Sequence, residues 1–379
     1  MMQKKVFALA LAAGLVSPLA ALADNANFTF YGTADVSHDT VSTGSGTTTA
    51  NGATAVNGVT KEVVSSNVSK FGFKGSEDLG GGLAAVWQIE QQINLDDAAA
   101  NTFASRNTFA GLKSDSAGTV LMGRHDTPYK LSTRRLDVFA DNIADNRALL
   151  GGVTANAAGV GSAGASFDGR QNNVLAYISP ALAGVTVAVA TVNLTEANIS
   201  SGPTVAQNQK NNSALSMAAM YDAAPFYAAV AHESHKLATV AIGDNESATR
   251  LGFGFTQDMF TVGLVYEKTS DNFGAAQANL YGHTGLYLGG KVNFGTDAVK
   301  FAYGKAGQLG TITNSAASQV SLGYDHDLSK RTKLYVLYTK LSNGKGINYA
   351  FSQNSGAAST TSGFGTSPSA LSLGLKHSF

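Results

Sequence analysis

Apolar and polar residues alternate along much of this chain. Near the start Phe28, Phe30, Ala34 and Val36 share one face, while Thr29, Tyr31, Thr33 and Asp35 share the other. A period of two is that of a β-strand with unlike faces. The pattern returns with Phe71 and Phe73 against Lys70 and Lys74, and with Trp87 and Ile89 against Gln88 and Glu90. At the far end Leu371, Leu373, Leu375 and Phe379 oppose Ser372, Gly374, Lys376 and Ser378. Segments of this kind predict 16 strands, at 27–38, 66–78, 82–93, 104–113, 118–125, 170–179, 184–194, 212–222, 226–235, 248–257, 259–269, 283–294, 297–306, 316–327, 331–342 and 369–379.

The connections alternate in length. Tight turns are predicted at Asp78 to Gly82, Lys113 to Gly118, Pro180 to Gly184, Ala223 to Pro225, Gly295 to Asp297 and Leu328 to Arg331, with long connections between them. Residues 39–65 and 343–368 are rich in Gly, Ser, Thr, Ala and Asn, which favours mobile loops over buried structure. Short turns at one end and long loops at the other are the pattern of a transmembrane barrel.

The amino terminus supports a membrane destination. Lys4 and Lys5 precede an apolar stretch from Val6 to Leu22 that ends on Ala21-Leu22-Ala23, as a cleaved secretory signal does. Residues 1–23 are therefore expected to be removed, leaving residues 24–379 as a single barrel domain. Beyond residue 23 no apolar run approaches the length of a spanning helix, so strands must cross any membrane. In lipid, strands can do so only when closed on themselves, because the bilayer offers no water to open edges. The 13 Tyr, 19 Phe and one Trp suit the outer face of such a barrel.

Charge and cysteine content narrow the chemistry. Without Lys4 and Lys5 the chain carries 24 basic and 26 acidic residues, which gives no global reason to bind nucleic acid. There is no cysteine, so disulfides, thiolate catalysis and cysteine metal sites are excluded. No cofactor and no metal are expected.

Several segments together resemble the trimeric general porins of β-proteobacteria and neisseriae. They are Tyr31-Gly32-Thr33, the run from Lys70 to Leu83, Trp87-Gln88-Ile89-Glu90, Ser105-Arg106, Phe109-Ala110-Gly111-Leu112, Gly123-Arg124 and the terminal Phe379. The resemblance covers nearly the whole mature chain. It implies a closed 16-stranded antiparallel barrel in the outer membrane, a homotrimer, and a third loop folded into the lumen. It further implies passage of ions and small hydrophilic solutes, contact with outer-membrane lipids, and a Phe379 read by the barrel-assembly machinery.

The longest gap between predicted strands, 125–169, is the expected constriction loop. Within it Asp137, Asp141 and Asp145 recur at spacing four and would share one face of a helix. Strand alternation and the resemblance put Lys70, Lys74, Arg106 and Arg124 on the lumen wall opposite. Arg134 and Arg135 add positive charge within the loop. Acids facing bases across a waist would set up a transverse field and modest ion selectivity. The resemblance leans toward anions.

Other signals carry less. Gly159-Val160-Gly161-Ser162-Ala163-Gly164 matches a dinucleotide fingerprint in spacing but has no strand before it and no helix after it. His232 and His235 stand three apart on a predicted strand, so their rings face opposite sides and cannot share a metal or a proton relay. No motif singles out a catalytic Ser, His and carboxylate, so no enzyme is expected. The second reading is a substrate-selective channel or a receptor with ligand-binding outer loops. Tyr31, Tyr129 and Tyr287 are the candidates for an aromatic track through such a pore, and their spacing is uneven.

Overall fold

The computed structural model describes residues 27–97, 103–152, 167–193, 213–237, 244–272, 279–351 and 363–379. The proposed signal segment and the Gly159 to Gly164 run lie outside them. Among the described residues, sixteen antiparallel strands close into one barrel in meander order. The first is β1 (Phe28–Ser42), and β2 is made of two segments, Thr60–Ser66 and Lys70–Gly80. Next come β3 (Leu83–Gln92), β4 (Thr108–Ser114), β5 (Gly118–Asp126), β6 (Arg170–Ile178), β7 (Val185–Asn193) and β8 (Ser213–Ala223). The second half comprises β9 (Phe226–Leu237), β10 (Asp244–Gln257), β11 (Phe260–Asp271), β12 (Thr284–Phe294), β13 (Asp297–Ala306), β14 (Ala317–Asp327), β15 (Thr332–Asn343) and β16 (Ser369–Ser378).

Closure is made by β1 against β16, in a register running from Thr33 opposite Ser378 to Ser42 opposite Ser369. Gly32 and Phe379 extend that ladder by exchanging two backbone hydrogen bonds of 2.9 and 3.0 Å. Among the described strands no barrel edge is left to pair with another chain. Phe379 also needs the missing side chain of Gly32, because a Cβ there would lie 2.3 Å from its ring.

The alternation read from the sequence is the division between outside and lumen. Phe28, Phe30, Phe253, Leu264, Leu288, Phe301, Leu322 and Leu373 point outward and are exposed. At the short-turn end Phe28, Phe30, Phe71, Phe73, Trp87 and Phe379 form a belt with ring centroids 5.2 to 6.3 Å apart where they meet. Aromatic residues of this kind anchor a barrel at the membrane interface.

Three expectations need correction. The second strand begins at Thr60, not 66, and is broken where Val68 adopts a φ of 53° and Asn67 turns to bond Ser37 and Tyr335. The fourth strand begins at Thr108, not 104, because Ala104 has a φ of 57° and turns the chain at the rim. The connection after β15 is not simply mobile: Ile347, Tyr349 and Phe351 are buried with Val41, Leu309, Leu341 and Ala370 at the long-loop end.

The lumen is partly filled. Leu136, Phe139, Ile143, Ala148, Leu149 and Leu150 from the connection between β5 and β6 pack against Val265, Tyr287, Ala302 and Leu337 of the wall. Small wall residues admit them: a Cβ on Gly263 would sit 2.3 Å from the Leu136 carbonyl oxygen, and one on Gly323 would sit 2.8 Å from the Phe139 ring. An apolar core thus holds the loop to β10–β15 and leaves open space on the side of β2–β6.

Candidate functional site: the lumen constriction

The loop enters the barrel through α1 (Pro128–Thr133). Thr127 caps this helix by accepting from the Lys130 amide, and Pro128 stands in the first turn, where no amide is needed. A 3₁₀ turn over Arg134–Leu136 follows, then irregular chain, then a second 3₁₀ turn at Asn146–Ala148. Asp137, Asp141 and Asp145 are therefore not on one helix. Asp141 has a φ of 68°, and the side chains of Asp137 and Asp145 turn back to accept backbone amides from Phe139, Asn146, Asp141 and Arg147.

The three carboxylates converge all the same, on two arginines of the same loop. Arg134 meets Asp145 at 2.5 Å and Asp141 at 2.7 Å, while Arg147 meets Asp145 at 2.9 Å and Asp141 at 3.2 Å. Asp137 lies farther from Arg134, at 3.6 Å, and accepts the Tyr287 hydroxyl at 2.8 Å. Burial alone would raise all three carboxyls, but Arg134 and Arg147 outweigh it at Asp145 and Asp141 and hold both below the usual range. At Asp137 burial and the neighbouring Asp145 win, and its carboxyl is pushed up to about 6. The side chains of Asp137 and Asp145 are fully shielded, so only Asp141 faces the opening.

Between loop and wall lies a cavity of about 430 Å³. The wall supplies Lys70, Glu90, Arg106, Arg124, Asp126 and Arg170; the loop supplies Lys130, Arg134, Asp141, Arg147 and Asp168. Seven basic groups thus face four carboxylates. Arg106 is committed to Glu90 at 2.5 Å, and Asp126 is shared by Lys130 at 2.7 Å and Arg170 at 3.1 Å. Among the described residues Arg124 instead bonds only neutral oxygens, those of Ser105 at 3.0 Å and Asn172 at 2.5 Å. Lys70 has no carboxylate within ion-pair distance among the described residues. The positive surplus of the opening is therefore concentrated at Lys70 and Arg124.

The other sequence candidates lie elsewhere. Lys74 is inward but nearer the short-turn end, over the Tyr31 ring at 5.3 Å. Arg135 pairs with Asp222 and stacks on Tyr227 at 4.4 Å, away from the cavity. Tyr129 and Tyr287 are buried and tie the loop to the wall through Glu267 and Asp137, so they form no track. His235 is buried inward between Glu233 and Glu246, whereas His232 bonds Thr249 on the other face. Lys130, Arg147, Asp168 and Arg170 escaped notice in the sequence, although Asp126 and Lys130 stand four apart across a capped helix start, a usable signal.

A family model described as "Gram-negative porin" matches residues 8–346. Outer membrane porin protein 32 of Delftia acidovorans is 26% identical over 83% of this chain and 85% of its own length. Major outer membrane protein P.IB of Neisseria meningitidis serogroup B is 28% identical over 91% and 95%. Among solved structures, an anion-selective porin from Comamonas acidovorans superposes with a TM-score of 0.71 at 23% identity, covering 93% of this chain and 99% of that one. OmpF of Salmonella typhi gives 0.61 at 18%, covering 93% and 98%.

Proposed function

The chain belongs to the Gram-negative porins, integral outer-membrane barrels that are channels for passive diffusion, and from that premise we propose that this channel favours small anions at a waist formed by Lys70 and Arg124. The observation that carries the proposal is the charge surplus at the opening. Every carboxylate lining it is matched by a base, while Lys70 and Arg124 are left to meet the permeating solute. At a narrow point a solute is partly stripped of screening water, so fixed charge there weighs more than charge at the mouths. Arg106 and the Arg134–Arg147 cluster shape the opening and set its background field, with Lys74 and Arg135 outside it. No bond is broken in this reading, and the chain is a channel and not an enzyme.

We also read the assembly as a homotrimer associating through the β1–β2 and β16 face. Support comes from His38 and Glu62, a polar pair at 3.6 Å on the outer surface beside Leu373, where contact with lipid would be unfavourable. OmpT of Vibrio cholerae, a barrel of similar fold, has been solved in a trimer form. Phe379, packed on Phe30 at the barrel seam, is proposed as the segment read during barrel assembly.

Liposome swelling tests the transport reading. Vesicles containing the protein should admit small organic anions faster than cations of equal size. Equal rates, or faster cations, would reject the anion preference, and no swelling by small uncharged sugars would reject an open channel.

A further inference from the structure

Lys70 directly follows the irregular stretch of β2. Between the cross-strand pairs Val36–Ser66 and Thr33–Lys70, β1 has two residues, Ala34 and Asp35, where β2 has three, Asn67, Val68 and Ser69. One extra residue makes a bulge, and a bulge re-aims the side chains around it. Val68 takes up the extra length with a φ of 53° and lines the cavity beside Lys70. Ser69 stands in for the interrupted ladder: its hydroxyl accepts the Asp35 amide and donates to the Asp35 carbonyl oxygen, each at 2.9 Å. The Asn67 side chain, buried on the lumen face, donates to the Ser37 hydroxyl at 2.8 Å and to the Tyr335 hydroxyl at 2.9 Å.

The same stretch decides where the Asp35 carboxylate goes. Thr33, opposite Lys70, and Asp35 share the lumen face of β1, so Asp35 stands diagonally across from Lys70. Diagonal neighbours on one face of an antiparallel ladder lie roughly 7–8 Å apart, within reach of a long side chain. The Asp35 carboxylate nevertheless turns the other way. One oxygen accepts the Tyr335 hydroxyl at 2.9 Å, and the other meets Lys376 of β16, its direct cross-strand partner, at 3.3 Å. Tyr335 belongs to β15 and reaches β1 by lying across β16 at Gly374, where a Cβ would sit 2.1 Å from its ring. Asn67 donates to the Tyr335 oxygen, and the O–H of that tyrosine is thereby aimed at Asp35.

We propose that Asn67 and Tyr335 are positioning residues for solute selection: they clamp Asp35 toward Lys376 and away from Lys70, so that the Lys70 charge stays unpaired at the opening. This role rests on Lys70 favouring anions at the waist. Once the clamp is released, Asp35 swings along its own face of the wall and pairs with Lys70. The positive surplus of the opening then falls although no charge has been removed from the chain.

Reversal potentials of the purified full-length barrel under a salt gradient test the clamp with Tyr335→Phe, which keeps the ring and removes only the hydroxyl. Selectivity should shift toward cations, in the direction of Lys70→Gln and by less, at unchanged formal charge. Gly374→Ala, which pushes the ring off Asp35, should shift it the same way. In an Asp35→Asn background Tyr335→Phe should have no further effect, because no carboxylate is left to turn toward Lys70. A wild-type potential in Tyr335→Phe, or in Gly374→Ala should the first variant not close into a barrel, would overturn the proposal while Lys70→Gln still shifts selectivity. So would an equal shift by Tyr335→Phe with and without the Asp35 carboxylate. An unchanged potential in Lys70→Gln would reject the role of Lys70 at the waist, and the clamp with it.

Discussion

Arg250 on β10 and Asp168, near the end of the constriction loop, are joined by two parallel hydrogen bonds of 2.8 Å each. The same guanidinium reaches Thr133 at the start of the loop at 3.1 Å, pairs with Glu267 and covers the Tyr129 ring at 4.3 Å. Glu267 in turn accepts the Tyr129 hydroxyl and the Gly151 amide. One buried arginine thus gathers both ends of the loop onto one patch of wall. Burial would raise the Asp168 carboxyl, but Arg250 outweighs it and keeps the carboxyl low.

Replacing Arg250 by Met should leave Asp168 and Glu267 buried without their cation, at a cost of about 3–5 kcal/mol. Denaturation of the purified barrel should shift accordingly. Single-channel records should show added open-state noise as the loop loosens. Arg250→Lys, which keeps the charge but not the fork, should fall between. A quiet channel of normal conductance in both variants would mean the loop is held by its apolar face alone.

Gly263 provides a second handle on the same loop. A valine there would have to displace the backbone at Leu136, whose carbonyl oxygen occupies the space a Cβ needs. The expected result is a barrel that still closes, since the backbone ladder between Gly254 and Gly263 is untouched, with a changed unitary conductance. Conductance equal to wild type would show that the loop can yield without moving the opening.

The strands were legible because the outer surface must be apolar while the lumen is wet, which imposes the period of two that Phe28 and Phe30 begin. The waist was less legible. Spacing four at Asp137, Asp141 and Asp145 pointed to a helix, but carboxylates close to their own backbone compete for its amides, and here they win at Asp137 and Asp145. The spacing did mark residues that meet in space. What it could not reveal was that Arg134 and Arg147 would neutralise them, because ion pairing within an irregular loop follows from its fold. The positions of Arg250 and Glu267 were hidden for a similar reason: they lie 117 and 138 residues beyond their partners Thr133 and Tyr129 at the loop start and meet them only when the barrel closes.

Lys130 is expected to make the waist sensitive to pH. Burial lowers its ammonium to about 8 against the opposing pull of Asp126. A base with a depressed value in the folded state contributes its linked stability above the ordinary lysine value of 10.5, and that contribution is lost as pH falls through about 8. For transport, the opening loses one positive charge as pH rises through the same value. Anion preference should therefore weaken between neutral and mildly alkaline pH, and Lys130→Arg should abolish that change. A selectivity flat across this range in wild type would place the Lys130 charge outside the conduction path.

The bases at the waist should differ in what their loss costs. Arg124→Gln and Lys70→Gln remove charges without a carboxylate partner, so each should shift selectivity toward cations with little change in stability. Arg106→Gln should do both, because it strands the buried Glu90. Comparing reversal potentials with denaturation midpoints across the three variants checks this order. A stability loss at Arg124 equal to that at Arg106 would contradict it.

The most direct test of a waist governed by Lys70 and Arg124 is the zero-current potential of the purified protein in a planar bilayer under a salt gradient. The wild type should show the sign of an anion-preferring channel, reduced toward zero or reversed in the Lys70→Gln/Arg124→Gln double variant. A cation sign in the wild type, or an unchanged potential in the double variant, would contradict control of the waist by those two charges.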